Sequence, residues 1–278
     1  MTLDETYERV LEEIGRTNEP YARRLLQCLT VAERPFTVKE LAEILALDFG
    51  AEEGIPVLKE NLRLEDQEEA VLSTCSSLIV VVDDYHHGRI VQFSHFSVKE
   101  FLTSDRLAIS SADISPFHIL SKPAHAVIVK ACLGILLQSE QGPHDARDER
   151  RSPLVYYAAE YWMRHARFDE LWRIVEDEIR SLFDPEKPHL EWWLKFYHIK
   201  SFPGFALEEY RGSPLYYASL CGLRGLTAQL ITENPQHVTD QVHRNPTPLV
   251  AALHGDILTS QTYFIRPAQI YILGATTI

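Results

Sequence analysis

The chain has 278 residues and is 45% hydrophobic, so it can bury one large core or two to three small ones. Its net charge is −13, and residues 1–110 carry 11 basic against 21 acidic side chains, which leaves that part at −10. An acidic surface is repelled by nucleic-acid phosphates and by anionic lipid, so the charge argues against both as partners. The first residues are acidic where a secretory signal is basic, and the longest apolar run, Val127 to Leu137, is too short to cross a bilayer. We therefore expect a soluble, cytoplasmic protein.

Motifs that mark common enzyme chemistry are missing from the sequence. It contains no GxxxxGK[ST] P-loop, no GxSxG nucleophile elbow, no HExxH and no CxxC pair. A metal site could be suggested by His86, His87 and His95 with Asp83 and Asp84, but His86 and His87 fall at a predicted hairpin tip, where adjacent side chains point to opposite faces. His95 beside a serine could suggest a Ser/His pair, but a triad also needs an acid and an oxyanion hole, so a packed or capping histidine is the better interpretation. We predict a non-catalytic protein without a cofactor or metal.

Apolar residues at helical spacing predict four helices in the first 76 residues. Pro35 ends the second helix, and Thr37 with Glu40 three residues later has the pattern of a capping box that begins the third. Two glycines and a proline predict a loop over residues 48–66. The predicted helices cover residues 2–14, 21–32, 38–46 and 68–76.

A β-hairpin follows the fourth helix. The β-branched run from Leu78 to Val82 and the run from Ile90 to Phe93 flank a turn at Gly88, and a helix over 97–103 comes next. Helices followed by a hairpin are the order of a winged helix, in which the helix before the hairpin enters a DNA groove. Here that helix, EEAVLSTCS at 68–76, has two carboxylates and no Lys or Arg, so we do not expect it to bind DNA.

Residues 121–200 are helical and rich in aromatic side chains. A Trp and Tyr stripe at helical spacing is more typical of a core than of a ligand pocket, because these side chains carry large buried areas. The predicted helices cover 124–137, 154–165 and 169–183, with a polar loop over 139–152 and a last aromatic segment over 192–197.

Two segments in the last third of the chain share a period. SPLYYASLCG starts at Ser213 and TPLVAALHG starts at Thr247, 34 residues later (247 − 213). In the first segment, Ser213 as N-cap, Pro214 as the first residue and Gly222 at the end favour a helix, since Gly222 stands where a positive φ is often needed. The interval and the Ser/Thr-Pro-Leu element are those of ankyrin repeats. Since about three repeats are needed for independent stability, we expect these two to lean on the aromatic segment 192–197.

Residues 259–278 do not continue the repeat. This apolar, strand-like tail is either an improvised cap or a poorly ordered product of a truncated or mis-spliced reading frame. The predicted fold class is mostly α: a winged-helix module with a small β-hairpin, then a helical connector and a short ankyrin-type α-solenoid. The predicted division is a leading helix at 1–20, the winged-helix-like domain at 21–110, the connector at 111–205, about two repeats at 206–258 and the tail at 259–278.

Several segments resemble fungal NACHT–ankyrin proteins, which are signalling ATPases of the NOD-like receptor (STAND) type. They are LDETYERVLEEI, LEDQEEAVLSTCSSLIVV, IVQFSHFSVKEFLTS, PLVYYAAEYWMRHARF and SLFDPEKPHLEWW, and QFSHFSVKEFL is the most specific. The resemblance implies a NACHT ATPase upstream, a winged-helix region named after GPI inositol-deacylase, a helical linker and ankyrin repeats. The absent P-loop and the short array mean that nucleotide hydrolysis does not carry over.

The leading hypothesis is a protein-interaction scaffold or sensor fragment, because ankyrin units present a row of hairpins and a concave face to partners. A protein partner of open identity is expected, with an upstream NACHT ATPase domain as one candidate. A nucleic-acid-binding winged helix and a hydrolase are the alternatives. The candidate protein-binding residues are Arg211, Asp240, Val242, His243, Arg244 and Asn245.

Overall fold

The computed structural model describes residues 3–50, 54–59, 66–138, 152–201, 213–239 and 247–253. The chain divides into two compact units, residues 1–203 and 204–278. The described part is mostly helical with small antiparallel sheets, and a winged-helix domain leads into further helices. The predicted fold class is confirmed at this level.

The helices of the winged helix begin and end close to their predicted positions. At the start of the third, the Thr37 hydroxyl accepts the Glu40 N–H, and the Glu40 carboxylate accepts the Thr37 N–H at 2.8 Å, so the predicted capping box is present. Leu25, Leu41 and Ile44 are fully buried between these helices. The helices are α1 (Leu3–Glu12), α2 (Glu19–Val31), α3 (Val38–Leu45) and α4 (Gln67–Cys75).

The wing is a three-stranded sheet rather than a two-stranded hairpin. Strand β1 (Phe36–Thr37) pairs with β5 (Gly88–Phe93), which also pairs with β4 (Ile79–Asp84), and all pairs are antiparallel. Gly88 begins β5 with φ of 76°, a left-handed conformation that favours glycine. The sequence missed β1 because two residues are too few to show alternation.

The predicted loop over 48–66 is wrong in part, because it contains strand residues. Strand β2 (Leu47–Asp48) pairs with β3 (Val57–Leu58), with Leu47 opposite Leu58. Pro56, directly before β3, packs closely on the connector, since a Cβ on Gly134 would lie 2.4 Å from the Pro56 carbonyl oxygen. Glycine at this helix position therefore permits the close approach.

The end of the winged helix and the connector are helical. After β5 come α5 (Phe96–Leu102), α6 (Asp105–Ala108) and a 3₁₀ turn (Ser115–Phe117). The connector comprises α7 (Ser121–Leu137), α8 (Val155–Arg167), a 3₁₀ segment (Phe168–Val175), α9 (Glu176–Leu182) and α10 (His189–Ser201).

Tryptophan packing holds the connector together. The rings of Trp162 and Trp193 meet edge to face at 5.8 Å, both side chains are fully buried, and the Trp193 indole N–H donates to the Ala159 carbonyl at 2.9 Å. The prediction that the aromatic stripe is core is confirmed for these two residues. The expectation that the repeats lean on segment 192–197 stays a prediction.

The predicted helix over 169–183 is interrupted. Asp169 and Glu170 have φ of 47° and 58°, left-handed values that non-glycine residues rarely adopt in succession. They stand in the 3₁₀ segment, and regular helix resumes only in α9. The amphipathic pattern gives no sign of this break.

The second unit contains the two predicted proline-headed helices. Ser213 caps α11 (Pro214–Leu220) by accepting the Tyr216 N–H at 3.2 Å, and Gly222 follows it with φ of 66°, so the predicted cap and the positive φ are confirmed. Helix α12 (Arg224–Glu233) and a 3₁₀ turn (Pro235–Thr239) come next, and residues 248–253 form the second proline-headed helix.

Further features concern the cysteines, membrane-spanning helices and the two polar or irregular segments predicted from the sequence. All four cysteines are free and buried, and burial raises the pKa of the Cys28 thiol to about 12. No helix among the described residues is long and apolar enough to cross a membrane. The tail at 259–278 and most of the predicted loop at 139–152 lie outside the described residues.

Candidate functional site

The helix that precedes the wing is acidic towards solvent. Helix α4 buries Val71 and Cys75, and its Glu68 forms a two-pronged ion pair with Arg89 of the wing, with Nη2 to Oε1 at 2.9 Å. The wing's guanidinium is thus already engaged by a carboxylate of the neighbouring helix. A surface of this charge repels a phosphate backbone.

The wing turn is closed by Asp84. Its carboxylate accepts the amide N–H groups of His86 and His87 at 2.9 and 2.8 Å and lies 2.9 Å from His87 Nδ1. The hydrogen bond to the His87 side chain, with those to the two amides, lowers the pKa of Asp84. Within the described ranges, no group of three or more His, Cys, Asp or Glu side chains is placed to hold a metal ion. Tyr85 stands 96% exposed at the tip.

His95 caps a helix, which confirms the capping interpretation. Its Nδ1 accepts the Ser97 N–H at 3.3 Å at the start of α5 and lies 2.6 Å from the Ser97 hydroxyl. The Ser97 hydroxyl also meets the Tyr7 hydroxyl at 2.8 Å, and the Tyr7 and Phe101 rings are 5.5 Å apart. The most specific sequence segment therefore attaches α1 to α5.

A buried polar region joins the winged helix to the connector, and we call it the joint. It comprises residues 33–43 of the winged helix, residues 152–165 of the connector, and His125. On its first side, Arg34 is forked onto Glu40 at 2.9 and 2.5 Å, with side chains only 11% and 5% exposed. The guanidinium lies over the Tyr157 ring at 5.0 Å, a cation–π contact across the joint.

Glu43 supplies a second link across the joint. This carboxylate is 4% exposed and accepts the buried Leu154 N–H at 2.7 Å and the Ser152 hydroxyl at 3.4 Å. The Leu154 amide precedes α8, whose first N–H groups have no partner inside the helix. A carboxylate from the winged helix therefore satisfies an amide at the beginning of the connector helix.

Tyr157 lies at the centre of the joint. Its ring stacks on Phe36 at 4.1 Å, and its hydroxyl accepts the Glu33 N–H at 3.1 Å. The same hydroxyl is 3.0 Å from His165 Nε2, and His165 Nδ1 is 2.8 Å from His125 Nδ1. Burial, with the neighbouring His125 and Arg164, lowers the pKa of His165 to about 3, and burial lowers that of His125. Both imidazoles are therefore neutral at pH 7.

An open cleft in the described part of the chain is lined by residues outside the joint. The cleft, about 580 Å³, is lined by residues that include Leu137, Asp177, Lys187 and His189. The predicted residues Arg211, Asp240, Val242, His243, Arg244 and Asn245 lie outside the described residues.

Sequence reasoning missed the joint entirely. The sequence predicts a capping role for Glu40 but not a buried ion pair, and it predicts no role for Glu43. A signal was present, because α3 reads VKELAEIL, and two carboxylates between apolar neighbours on so short a helix are hard to leave exposed. His125 and His165 are 40 residues apart, so no local pattern connects them.

Comparison with known proteins defines the class of the first domain. Residues 7–114 match the family model of the GPI inositol-deacylase winged helix domain, so this part of the chain is a winged helix of that type. The match includes most of α1, which the sequence analysis set apart from the domain.

A longer relative shares most of the chain. It is azaphilone pigments biosynthesis cluster protein L of Monascus ruber, 32% identical over an alignment of 242 residues, and the match covers 82% of this chain and 50% of that protein. The chain spans about half the length of this curated relative. Neither comparison names a NACHT ATPase or an ankyrin repeat. No solved structure matches the chain.

Proposed function

We propose that the chain is a non-catalytic, cytoplasmic protein-interaction scaffold or sensor fragment of the NACHT–ankyrin type. In this proposal the second unit is a short ankyrin array that binds a protein partner. The winged helix and the connector, locked together by the joint, form a rigid base within the first unit. An upstream ATPase domain is the proposed second partner, held by the winged helix.

One observation carries the proposal: two proline-headed helices begin 34 residues apart in the second unit. Ser213 caps the first, Gly222 ends it with a positive φ, and α12 follows as the second helix of the pair. Pro248 begins the next helix, where Ala251 N–H donates to the Thr247 carbonyl at 2.9 Å. A proline-headed helix that recurs at this interval, with a partner helix after the first copy, supports the unit of an ankyrin solenoid.

The proposed binding segments precede these helices, at residue 211 and at residues 240–245. Residues in this position form the exposed hairpin row of an ankyrin array. Their mixture of an acid, cations and an apolar side chain suits a protein surface better than a phosphate backbone.

Affinity capture with the immobilised chain tests the placement. The triple variant Val242→Ala, His243→Ala, Arg244→Ala is compared with wild type and with a composition-matched control, Val57→Ala, His86→Ala, Arg23→Ala, whose three positions are exposed in the first unit. Partners that wild type and control recover and the triple variant loses support the proposal. Equal recovery by all three would refute the placement.

Two assays test the class of function. The purified chain is expected to turn over no nucleotide, and measurable turnover would overturn the non-catalytic assignment. It is also expected to leave duplex DNA unshifted at 50 mM salt, where phosphate contacts are strongest. A gel shift that disappears steeply with salt would favour a nucleic-acid-binding winged helix instead.

A further inference from the structure

A chain of hydrogen bonds crosses the joint from the winged helix to the edge of the connector. It runs from the Glu33 amide to the Tyr157 hydroxyl, then to both nitrogens of His165 and on to His125 Nδ1, over 3.1, 3.0 and 2.8 Å. Tyr157 and His165 are fully buried, whereas His125 is half-buried. This series of hydrogen bonds therefore connects the buried interior of the joint to His125, which can exchange protons with solvent.

The donors and acceptors allow one direction. The Glu33 amide can only donate, so the Tyr157 oxygen accepts from it, and the tyrosine hydrogen needs an acceptor. His165 Nε2 is the acceptor within reach among the described residues, which puts the hydrogen of His165 on Nδ1. His165 Nδ1–H then donates to His125 Nδ1, and the hydrogen of His125 is on Nε2. The opposite direction would leave the buried Tyr157 hydroxyl without an acceptor, which is costly.

Proton uptake by His125 is incompatible with this direction. A doubly protonated His125 carries a hydrogen on Nδ1, which cannot face the hydrogen on His165 Nδ1. His165 remains neutral, but its hydrogen must move to Nε2 by exchange with water, and Nε2–H then donates to the Tyr157 oxygen. One solvent proton is gained by His125, and the Tyr157 hydroxyl loses its acceptor inside the joint.

We propose that the joint is an acid-sensitive coupling, in which proton uptake at His125 reverses the hydrogen-bond chain and loosens the contact between winged helix and connector. The proposal is independent of which partner the repeats bind. It rests on the geometry of Glu33, Tyr157, His165 and His125.

The charged groups around His125 and His165 favour proton uptake by His125 alone. The negative charge of Glu33 favours protonation of His125. Glu33 is paired with Arg164 at 3.0 Å, and the positive charge of Arg164 opposes protonation of His165. Beside His125, Phe168 stacks on the ring at 4.0 Å, and the Lys122–Asp169 pair closes at 2.8 Å.

The remaining charged groups of the joint lie towards its interior. The Arg34 guanidinium is 5.9 Å from the Tyr161 ring centre, and Glu40 holds it there. Because His165 is fully buried and His125 is half-buried, His125 is the imidazole that an external proton reaches.

The pH dependence has a defined sign. The folded pKa of both imidazoles is below the unfolded value of about 6.5, so the unfolded chain binds more protons at acidic pH. The stabilisation is complete above about pH 6.5 and is lost as the pH falls towards the folded pKa values. Between pH 7.5 and 5.5, each imidazole that stays neutral in the fold raises the unfolding equilibrium constant up to about ten-fold.

The first test is the tautomer of each ring, read from ¹⁵N NMR of the full chain with labelled histidine. At pH 7.5 we expect His165 with its hydrogen on Nδ1 and His125 with its hydrogen on Nε2. As His125 titrates, the His165 hydrogen should shift to Nε2 at the same midpoint. His165 protonated at Nε2 at pH 7.5, or unmoved while His125 titrates, would overturn the proposal.

The second test replaces the outer histidine. His125→Asn offers an amide oxygen as acceptor near the Nδ1 position but cannot take a proton. We expect it to show up to about ten-fold less increase in the unfolding constant between pH 7.5 and 5.5 than wild type. His86→Asn, at the exposed wing tip, is the matched control and should follow the wild-type curve. A pH dependence of His125→Asn equal to that of wild type would refute the coupling, and if this variant does not fold, the tautomers of the wild type still decide.

Discussion

An arginine forked onto a glutamate occurs at two places in the winged helix, with opposite surroundings. At the joint, Arg34 and Glu40 are 11% and 5% exposed. At the wing, Arg89 and Glu68 are 56% and 29% exposed. The two pairs have the same chemistry and similar geometry, and they differ in how much water surrounds them.

Because the Arg34–Glu40 pair is buried, the stability of the fold depends on it, whereas the exposed Arg89–Glu68 pair contributes little. The joint pair must replace the water that both charges have lost. Arg34 does so in part, with a further bond to the Pro35 carbonyl at 2.9 Å and with the Tyr157 ring, while its buried Nε has no hydrogen-bond partner among the described residues. The wing pair can exchange each partner for water at little cost. Four substitutions turn this contrast into measurements.

The largest effect is expected from Glu40→Ala. It leaves a buried guanidinium without its carboxylate and removes half of the capping box, so we expect a loss of about 3–5 kcal/mol in the free energy of unfolding. Urea denaturation followed by tryptophan fluorescence measures this loss. The signal reports on the connector, because all four tryptophans lie there, at 162, 172, 192 and 193. Glu12→Ala, on the exposed side of α1, is the control. A loss below about 1 kcal/mol would show that the joint pair contributes little.

The next largest effect is expected from Glu43→Ala. The buried Leu154 N–H loses its acceptor, which costs about 1–3 kcal/mol. Glu43→Gln keeps a carbonyl oxygen at the same place and should retain much of the stability. Hydrogen exchange of the Leu154 amide should accelerate in the alanine variant and much less in the glutamine variant. Equal protection in both would mean that this carboxylate does not hold the connector helix.

Local signals in the sequence were enough for much of the fold. The capping box of α3, the turn at Gly88 and the serine cap of α11 each depend on residues within three or four positions, and the structure has all three. The strand β1 could not be found in this way, because it exists only through its pairing with β5.

The site could not be predicted, because its parts are distant in sequence. Glu43 meets a residue 111 positions away, and the Glu33 amide meets a hydroxyl 124 positions away. Glu69 is exposed to solvent, whereas Glu43 is buried. The residue types are identical, and although the apolar neighbours of Glu43 in α3 indicate burial, only the tertiary structure identifies Leu154 as its partner. The left-handed conformations of Asp169 and Glu170 could not be predicted either, because the sequence around these residues favours a helix.

A smaller effect is expected from Thr37→Ala. The Glu40 N–H loses the hydroxyl that caps it at 3.2 Å, and such caps contribute about 1 kcal/mol. Thr103→Ala removes a threonine hydroxyl that bonds only exposed helix carbonyls, and it serves as the control with an expected loss below about 0.5 kcal/mol. If the two variants lost the same stability, the capping box would not contribute to the joint beyond ordinary surface bonding.

The smallest effect is expected from Glu68→Ala at the wing, with a loss of about 0–1 kcal/mol at low salt. Arg89 keeps its exposure to water and retains Asp83 at 3.7 Å, so nothing buried is left unpaired. Salt separates the two pairs further: at 1 M NaCl the screening length is about 3 Å, so the Glu68→Ala deficit should disappear while the Glu40→Ala deficit remains. Denaturation of both variants at 0.05 and 1 M salt measures this difference. Deficits that shrink in the same proportion would mean that water reaches the joint as freely as the wing, and the contrast on which the rigid base depends would be lost.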